Sequence, residues 1–265
     1  MAIKITTHSC VWSRSYARHV VNDAPVMLVT GGSRGIGAGI AIAAAAAGYI
    51  VAITYASSSG AADELVAAGH VHLAVHADAG LPDAVEASFA AVLATFGRVD
   101  ALINNAGGGG AYGTIDVVTA DMLERLWAVN ITAPFLYARA AVAHMSTDRG
   151  GRGGNIVNIT SKAAVLGGGG EWIHYAASKG ALETMTTGLA KEVATQGIRV
   201  NAVRPGLIVT DFDRDLSPGR TERMRPMIPM QRTGSPAEVA AAVIWLCSDA
   251  ASYTTGTFLE VSGGR

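Results

Sequence analysis

Tyr175 and Lys179 stand four residues apart in the helical window HYAASKGALETMTTGLAKEVA, a spacing that puts both side chains on one helix face. A phenol is neutral near pH 7, with a reference pKa of about 10, and a neighbouring ammonium favours its phenolate. Tyr175 so paired is suited to give and take a proton at a carbonyl or alcohol oxygen. Ser161 closes the strand-like run GNIVNIT and can hydrogen-bond the same oxygen. A second chemistry lies nearer the start. The run VMLVT leads into GGSRGIG, where Gly31, Gly35 and Gly37 let the backbone turn tightly and bring a pyrophosphate to the amides of a helix N-terminus. About twenty residues beyond such a loop, an Asp or Glu ordinarily holds the adenosine 2'-hydroxyl of NAD. Here the second strand ends on Tyr55, Ala56, Ser57 and Ser58, and Arg34 sits inside the glycine loop. A cation and hydroxyls without a carboxylate suit a 2'-phosphate, so NADP is expected in preference to NAD.

These residues need a scaffold, and the chain is patterned for one. From residue 25 the apolar runs PVMLVT, YIVAITY, HVHLAVHA, VDALINN, GNIVNIT, IRVNAVRP and TFLEV alternate with Ala-rich helical windows. That alternation predicts βαβ units stacked around a parallel sheet: an α/β, doubly wound, seven-stranded single domain over 25–265 with helices on both faces. In such sheets the ligand crevice lies beyond the carboxyl ends of the strands, so the glycine patches 107–110 and 167–170, each following a strand, are site loops. The 28 uncharged residues 35–62 are long enough for a membrane span, but Gly48 divides them into a helical and a β-branched part, read as a buried helix and strand. Residues 1–24 hold three cations before the first acid and no apolar stretch long enough for a signal peptide, and are read as a disordered extension.

Composition narrows the class. Charged residues are 15% of the 265 and apolar residues 50%, which excludes a disordered tail protein and allows a large buried core. A net charge of -1 gives no footing for nucleic acid or an anionic membrane surface. Cys10 and Cys247 imply no disulfide scaffold, and a reducing, cytoplasmic setting is the default. His70, His72 and His76 share one side of an extended strand and cannot converge on a metal, so no metal site is expected. His174 faces about 100° away from Tyr175 on the helix and is read as a rim or interface residue, and Lys162 as pointing to solvent. Met224, Met227, Ile228 and Met230 follow a polar stretch and suit a substrate lid around 211–230.

As a set, TGGSRGIG at 30–37, NNAG at 104–107, Asn130, Ser161, YAASK at 175–179 and RPG at 204–206 resemble the short-chain dehydrogenase/reductase family in identity, order and approximate spacing over residues 25–265. The segments EWIHYAASKGALETMTTGLAKEVA and IPMQRTGSPAEVA are similar to its 3-oxoacyl reductase and glucose-1-dehydrogenase-like branch. The resemblance implies a Rossmann-fold oxidoreductase that interconverts a ketone or aldehyde and an alcohol by hydride transfer. It implies Tyr175 as general acid/base, Lys179 as the group that lowers its pKa and grips the nicotinamide ribose, and Ser161 as the group orienting the substrate oxygen. It further implies that Asn130 holds a water linking Lys179 to solvent. Asp78 would meet the adenine amino group, Asn104 and Ala106 the adenosine, and Ile208 and Thr210 the carboxamide. Ser33, Ile36, Gly107, Pro205 and Gly206 complete the implied cofactor contacts. Apolar surplus in the windows 119–146 and 175–196 fits the family's helix-paired homo-oligomer, a tetramer or a dimer. Ser161 lies fourteen residues before Tyr175, one more than the family pattern. Two other readings stay open: a dinucleotide-binding scaffold without chemistry, and an isomerase or dehydratase with retained cofactor. No cluster of cations in the sequence calls for a phosphate or carboxylate on the small-molecule substrate.

Overall fold

The computed structural model describes residues 5–7, 24–210 and 219–265. Seven parallel strands follow the expected runs: β2 Val26–Val29, β3 Ile50–Tyr55, β4 Leu73–His76, β5 Ala101–Asn104, β6 Gly154–Ile159, β7 Ile198–Pro205 and β8 Phe258–Val261. Their order across the sheet is β4-β3-β2-β5-β6-β7-β8, so the direction of winding reverses between β2 and β5. That switch point opens a crevice at the strand ends.

The outer edge differs from expectation. Residues Ile5–Thr7 form β1 and pair antiparallel with β4, Ile5 opposite Val75 and Thr7 opposite Leu73, giving an eight-stranded sheet. The bare edge of β4 offers unpaired amides and carbonyls, and a β-branched ITT segment satisfies them. The reading of 1–24 as wholly disordered is corrected for these three residues. Residues 1–4 and 8–23 lie outside the described residues.

Side-chain alternation along the strands builds two cores. On β2, Val26 and Leu28 enter the layer containing helices α3 (Pro82–Phe96), α5 (Ala133–Met145) and α7 (Ile173–Val193). Met27 and Val29 face the other layer, with α1 (Gly35–Ala46) and α9 (Pro236–Cys247). β3 is buried at every position, which explains its lack of charge. The uncharged run 35–62 is thus α1, β3 and the start of α2 (Ser59–Ala67).

A buried polar ladder crosses the first core and fixes α7. Asn104 Nδ2 donates to Asn158 Oδ1 at 2.9 Å, Asn158 Nδ2 to Thr186 Oγ1 at 2.8 Å, and Thr186 Oγ1 to the Leu182 carbonyl at 2.8 Å. In the second layer α9 packs on α1 and begins with a capping box, Ser235 Oγ accepting the Glu238 amide while the Glu238 carboxylate accepts the Ser235 amide. Ser235→Ala is expected to lower unfolding free energy by about 1 kcal/mol, read as a shifted urea midpoint at unchanged slope.

Candidate active site

The glycine loop is fastened before anything binds to it. Thr30 Oγ1 accepts the amides of Asn105 and Ala106, both at 3.0 Å, and Asn105 Nδ2 donates to the carbonyls of Thr30 and Gly31 at 2.9 and 3.0 Å. The ends of β2 and β5 are thereby laced together across the switch point. Gly31 has φ of +62°, and a Cβ there would meet Ala106 Cα at 3.0 Å. A Cβ on Gly37 would fall 2.3 Å from the Gly31 carbonyl oxygen, so no other residue fits under the loop. The N-terminus of α1 carries no side-chain cap and no acid in its first turn, so its amides face the crevice as a ready anion site.

At the other end of the crevice α6 (Ala163–Leu166) leads through 167–172 into α7. Lys179 is 4% exposed, and its Nζ donates to the Ile159 carbonyl at 2.9 Å. It lies 5.8 Å from the centre of the Tyr175 ring. Burial pulls the Lys179 ammonium down to about 8. Ser161 Oγ accepts the Ala163 amide at 3.1 Å, which leaves its hydroxyl proton to donate. A glycine-rich turn with Gly167 left-handed follows α6 between Ser161 and Tyr175, and Ser161 lines the wall.

Asn130 sits in a single π turn, Ala128–Thr132, fully buried between α4 (Ala120–Trp127) and α5. Its Oδ1 accepts the Gly108 amide at 2.8 Å, and Nδ2 donates to the Gly108 carbonyl and to Ser178 Oγ, each at 2.9 Å. Pro134, four residues on, has no amide to give the Asn130 carbonyl, so the ordinary helical bond there is missing.

One cavity of about 620 Å³ joins these parts. Its wall includes Gly31, Ser33, Arg34, Gly35, Ile36 and Gly37 from the loop, and Tyr55, Ala56, Ser57 and Asp78 from the β3 and β4 ends. Ala106, Gly107, Ser161, Tyr175, Lys179, Pro205, Gly206, Ile208 and Thr210 line the remainder. Tyr55 to Ser58 bring no carboxylate to this wall. Asp78 does line it, but Arg125 Nη2 spans both its oxygens at 2.9 and 2.8 Å. Burial pushes the Asp78 carboxyl up; Arg125 and the Gly80 amide outweigh that and hold it below the usual range.

Several expectations need correction. Asn104 does not line the cavity: it is 2% exposed and turned into the core toward Asn158, while its neighbour Asn105 meets the loop, because successive strand residues face opposite ways. The Asn130 side chain is spent on Gly108 and Ser178, so it braces the 107–110 loop and does not line the wall. His174 is 4% exposed and bonds the Gly109 carbonyl at 3.1 Å, a strut under that loop and not a rim residue. Lys162 is not solvent-directed: it pairs with Glu260 at 2.7 Å, beside Arg204, which holds Glu183 of α7 through both carboxylate oxygens. Of the supposed lid, Met224 and Ile228 are buried with Leu207, Met227 and Met230 are exposed, and 211–218 lie outside the described residues. The wall residues Glu171, Trp172, Arg220 and Arg265 were missed; Glu171 and Trp172 adjoin the Tyr175 motif, and Arg265 carries no local signal.

These features fit a nicotinamide dinucleotide, and comparison with known proteins agrees. A family model described as enoyl-(acyl carrier protein) reductase matches residues 31–265. The chain is 46% identical over 245 residues to the oxidoreductase YgfF of Escherichia coli (strain K12), covering 91% of this chain and 99% of that one. A short chain dehydrogenase from Burkholderia cenocepacia in complex with NADP superimposes with a TM-score of 0.84 at 36% identity, covering 91% of this chain and 97% of the other. A 3-ketoacyl-(acyl-carrier-protein) reductase from Brucella melitensis complexed with NADH does so with a TM-score of 0.84 at 34% identity, covering 91% and 98%. The chain belongs to the short-chain dehydrogenase/reductase family. It is an oxidoreductase that uses a nicotinamide dinucleotide.

The buried lysine makes stability depend on pH. The folded state holds this proton more weakly than the unfolded chain, whose lysine titrates near 10.5, so between about 8 and 10.5 the unfolded state binds more protons and the contribution of Lys179 to stability rises with pH. The stability of Lys179→Met relative to wild type should therefore fall from pH 7.5 to pH 10 in denaturant titrations. A difference independent of pH would contradict the assignment.

Proposed function

We propose that the protein is an NADP(H)-preferring carbonyl reductase or alcohol dehydrogenase with Tyr175 as its general acid/base. The observation that carries this reading is the opening of Tyr175, Lys179 and Ser161 into the same cavity as the glycine cradle and the uncapped helix N-terminus. In the reducing direction the Ser161 hydroxyl donates to the carbonyl oxygen and fixes its position. Tyr175 passes its phenolic proton to that oxygen, and the Lys179 ammonium stabilises the phenolate left behind. The bound dinucleotide supplies a hydride to the carbonyl carbon, or accepts one in the reverse direction. Lys179 keeps most of its charge at neutral pH, since about 8 is above 7. It also holds the nicotinamide ribose. A water held at Asn130 links Lys179 to solvent and resupplies the proton. Oxidation, which needs the phenolate, speeds up as pH rises.

The preference for NADP is supported by the lack of an acid at Tyr55 to Ser58, by the neutralisation of Asp78 through Arg125, and by Arg34. Arg34 is exposed, lines the cavity and has no ion pair among the described residues. The alcohol or carbonyl partner is a small molecule. Exposed Trp127 at 42% and Phe135 at 51% support a homo-oligomer built on α4 and α5, whereas the apolar surplus of α7 is used up inside the fold by Leu182, Met185 and Val193. A free, buried Cys247 accords with a cytoplasmic setting.

Tyr175→Phe should lower kcat by at least a thousandfold while the dissociation constant for NADPH stays within about threefold. Retained turnover would remove Tyr175 from the chemistry. For the cofactor, Arg34→Ala should weaken NADPH binding by roughly 10- to 100-fold and leave NADH nearly unchanged, measured by fluorescence titration. Equal losses for both, or a tenfold preference of the wild type for NADH, would overturn the NADP reading.

A further inference from the structure

Helix α4 lays one side along the cavity. Met122, Arg125, Leu126 and Val129 all line it, at the i, i+3, i+4 and i+7 positions of one helix face that runs on into the π turn. Arg125 is the charged member of that face. Its Nη2 spans both oxygens of Asp78, which stands 47 residues away in the chain. The Gly80 amide also donates to Asp78 Oδ1, at 2.9 Å, so Oδ1 is doubly engaged while Oδ2 accepts from Arg125 alone. A carboxylate oxygen carries two lone pairs, and Oδ2 therefore keeps one to offer. Asp78, held below the usual carboxylate range, is ionised at neutral pH and can only accept. Arg125 Nη1 and Nε make no hydrogen bond among the described residues and can only donate. Gly80 leaves the room for this pair: a Cβ there would strike Arg125 Nη1 and lie 2.7 Å from its Cζ. Gly80 is not left-handed, so the requirement at that position is for space alone. The pair is partly exposed, 57% for the Arg125 side chain and 31% for Asp78, and a pair so exposed adds little to the stability of the fold.

We propose that Arg125 is a specificity-determining residue of the cofactor site and reads the adenine base together with Asp78. The wall sets an acceptor, Asp78 Oδ2, beside the donors of the guanidinium. Adenine presents the complement, an amino donor flanked by ring-nitrogen acceptors. Asp78 Oδ2 accepts the 6-amino group, and Arg125 donates to a neighbouring ring nitrogen while fixing which lone pair of Asp78 stays open. Hypoxanthine, with a carbonyl where adenine has its amino group, would set an acceptor against the carboxylate and leave Oδ2 without a donor. The family resemblance implies the amino contact of Asp78; the part of Arg125 comes from its place on α4 over the bare backbone of Gly80. The assignment rests on the reading above that puts the nicotinamide ribose at Lys179 and the 2'-phosphate at Arg34, and it specifies the adenine end of that site.

The test compares dissociation constants, by fluorescence titration, for NADPH and for its hypoxanthine analogue. Both carry the 2'-phosphate, so its contribution cancels from their ratio. The wild type should bind NADPH roughly tenfold or more tighter than the analogue, and Arg125→Met should cut that ratio roughly fivefold or more, chiefly by weakening NADPH. Gly80→Ala keeps both charges but puts a methyl group where the guanidinium rests, and should lower the ratio in the same direction. An unchanged urea midpoint shows that each variant is folded. No preference for adenine in the wild type would overturn the proposal. So would an Arg125→Met variant that weakens both cofactors by one factor, since Arg125 would then act only as the counter-charge of Asp78. Arg34→Ala, titrated with NADPH and NADH alongside, separates this claim from the cofactor reading beneath it. A selective loss of NADPH in Arg34→Ala with an unchanged base ratio in Arg125→Met would sink the adenine assignment and keep that reading; no effect of either substitution would sink both.

Discussion

The ammonium of Lys179 is 4% exposed in the middle of an apolar protein, and much of the surrounding framework makes that burial tolerable. Holding it charged rather than neutral costs roughly 3 kcal/mol relative to water, the free-energy equivalent of a pKa drawn down from 10.5 to about 8. The Ile159 carbonyl returns part of this as a charge-assisted hydrogen bond at 2.9 Å. That carbonyl is available only because β6 stops there and α7 crosses directly over its end. The crossing is fixed by the Asn104, Asn158 and Thr186 ladder below and by the Asn130 to Ser178 bond above. Both supports are buried polar links with apolar surroundings, where a hydrogen bond left unmade is expensive and the geometry is correspondingly strict.

The glycine end obeys a different constraint, namely space. Gly37 lies beneath the Gly31 carbonyl where no Cβ fits, and Thr30 with Asn105 laces the loop to β5, so the uncapped amides of α1 stay aimed at the crevice. The two ends meet at the reversal of strand order between β2 and β5. One half of the cavity is thus lined by the glycine cradle and the uncapped amides of α1, and the other by Tyr175, Lys179 and Ser161.

Residues that act through local pattern were legible in the sequence. GGSRGIG, the missing acid at Tyr55 and the Tyr175 to Lys179 spacing each encode geometry within one turn or one strand, and the alternating apolar runs place seven strands in register. Roles set by distant partners were not. The Asn104 and Asn105 pair reads identically in sequence, and only the sheet decides which faces the loop. His174 and Lys162 looked like surface residues because their partners, the Gly109 carbonyl and Glu260, come from other elements. The same applies to Arg265, whose meeting with Arg220 and Glu171 depends on where β8 ends. Ile5–Thr7 became a strand because the edge of β4 was vacant, a circumstance invisible in the segment itself.

The structural claim on which all of this depends is that a dinucleotide spans the cavity with its phosphates on the α1 amides and its nicotinamide end at Lys179. A crystal structure of the protein with NADPH tests it most directly. The account predicts the 2'-phosphate at Arg34, Ser57 and Ser58, the pyrophosphate over Gly35 to Gly37, and the nicotinamide ribose against Lys179 Nζ with the ring beside Tyr175. Density for the cofactor running the other way, or lying outside the wall that contains Tyr175 and Lys179, would contradict it.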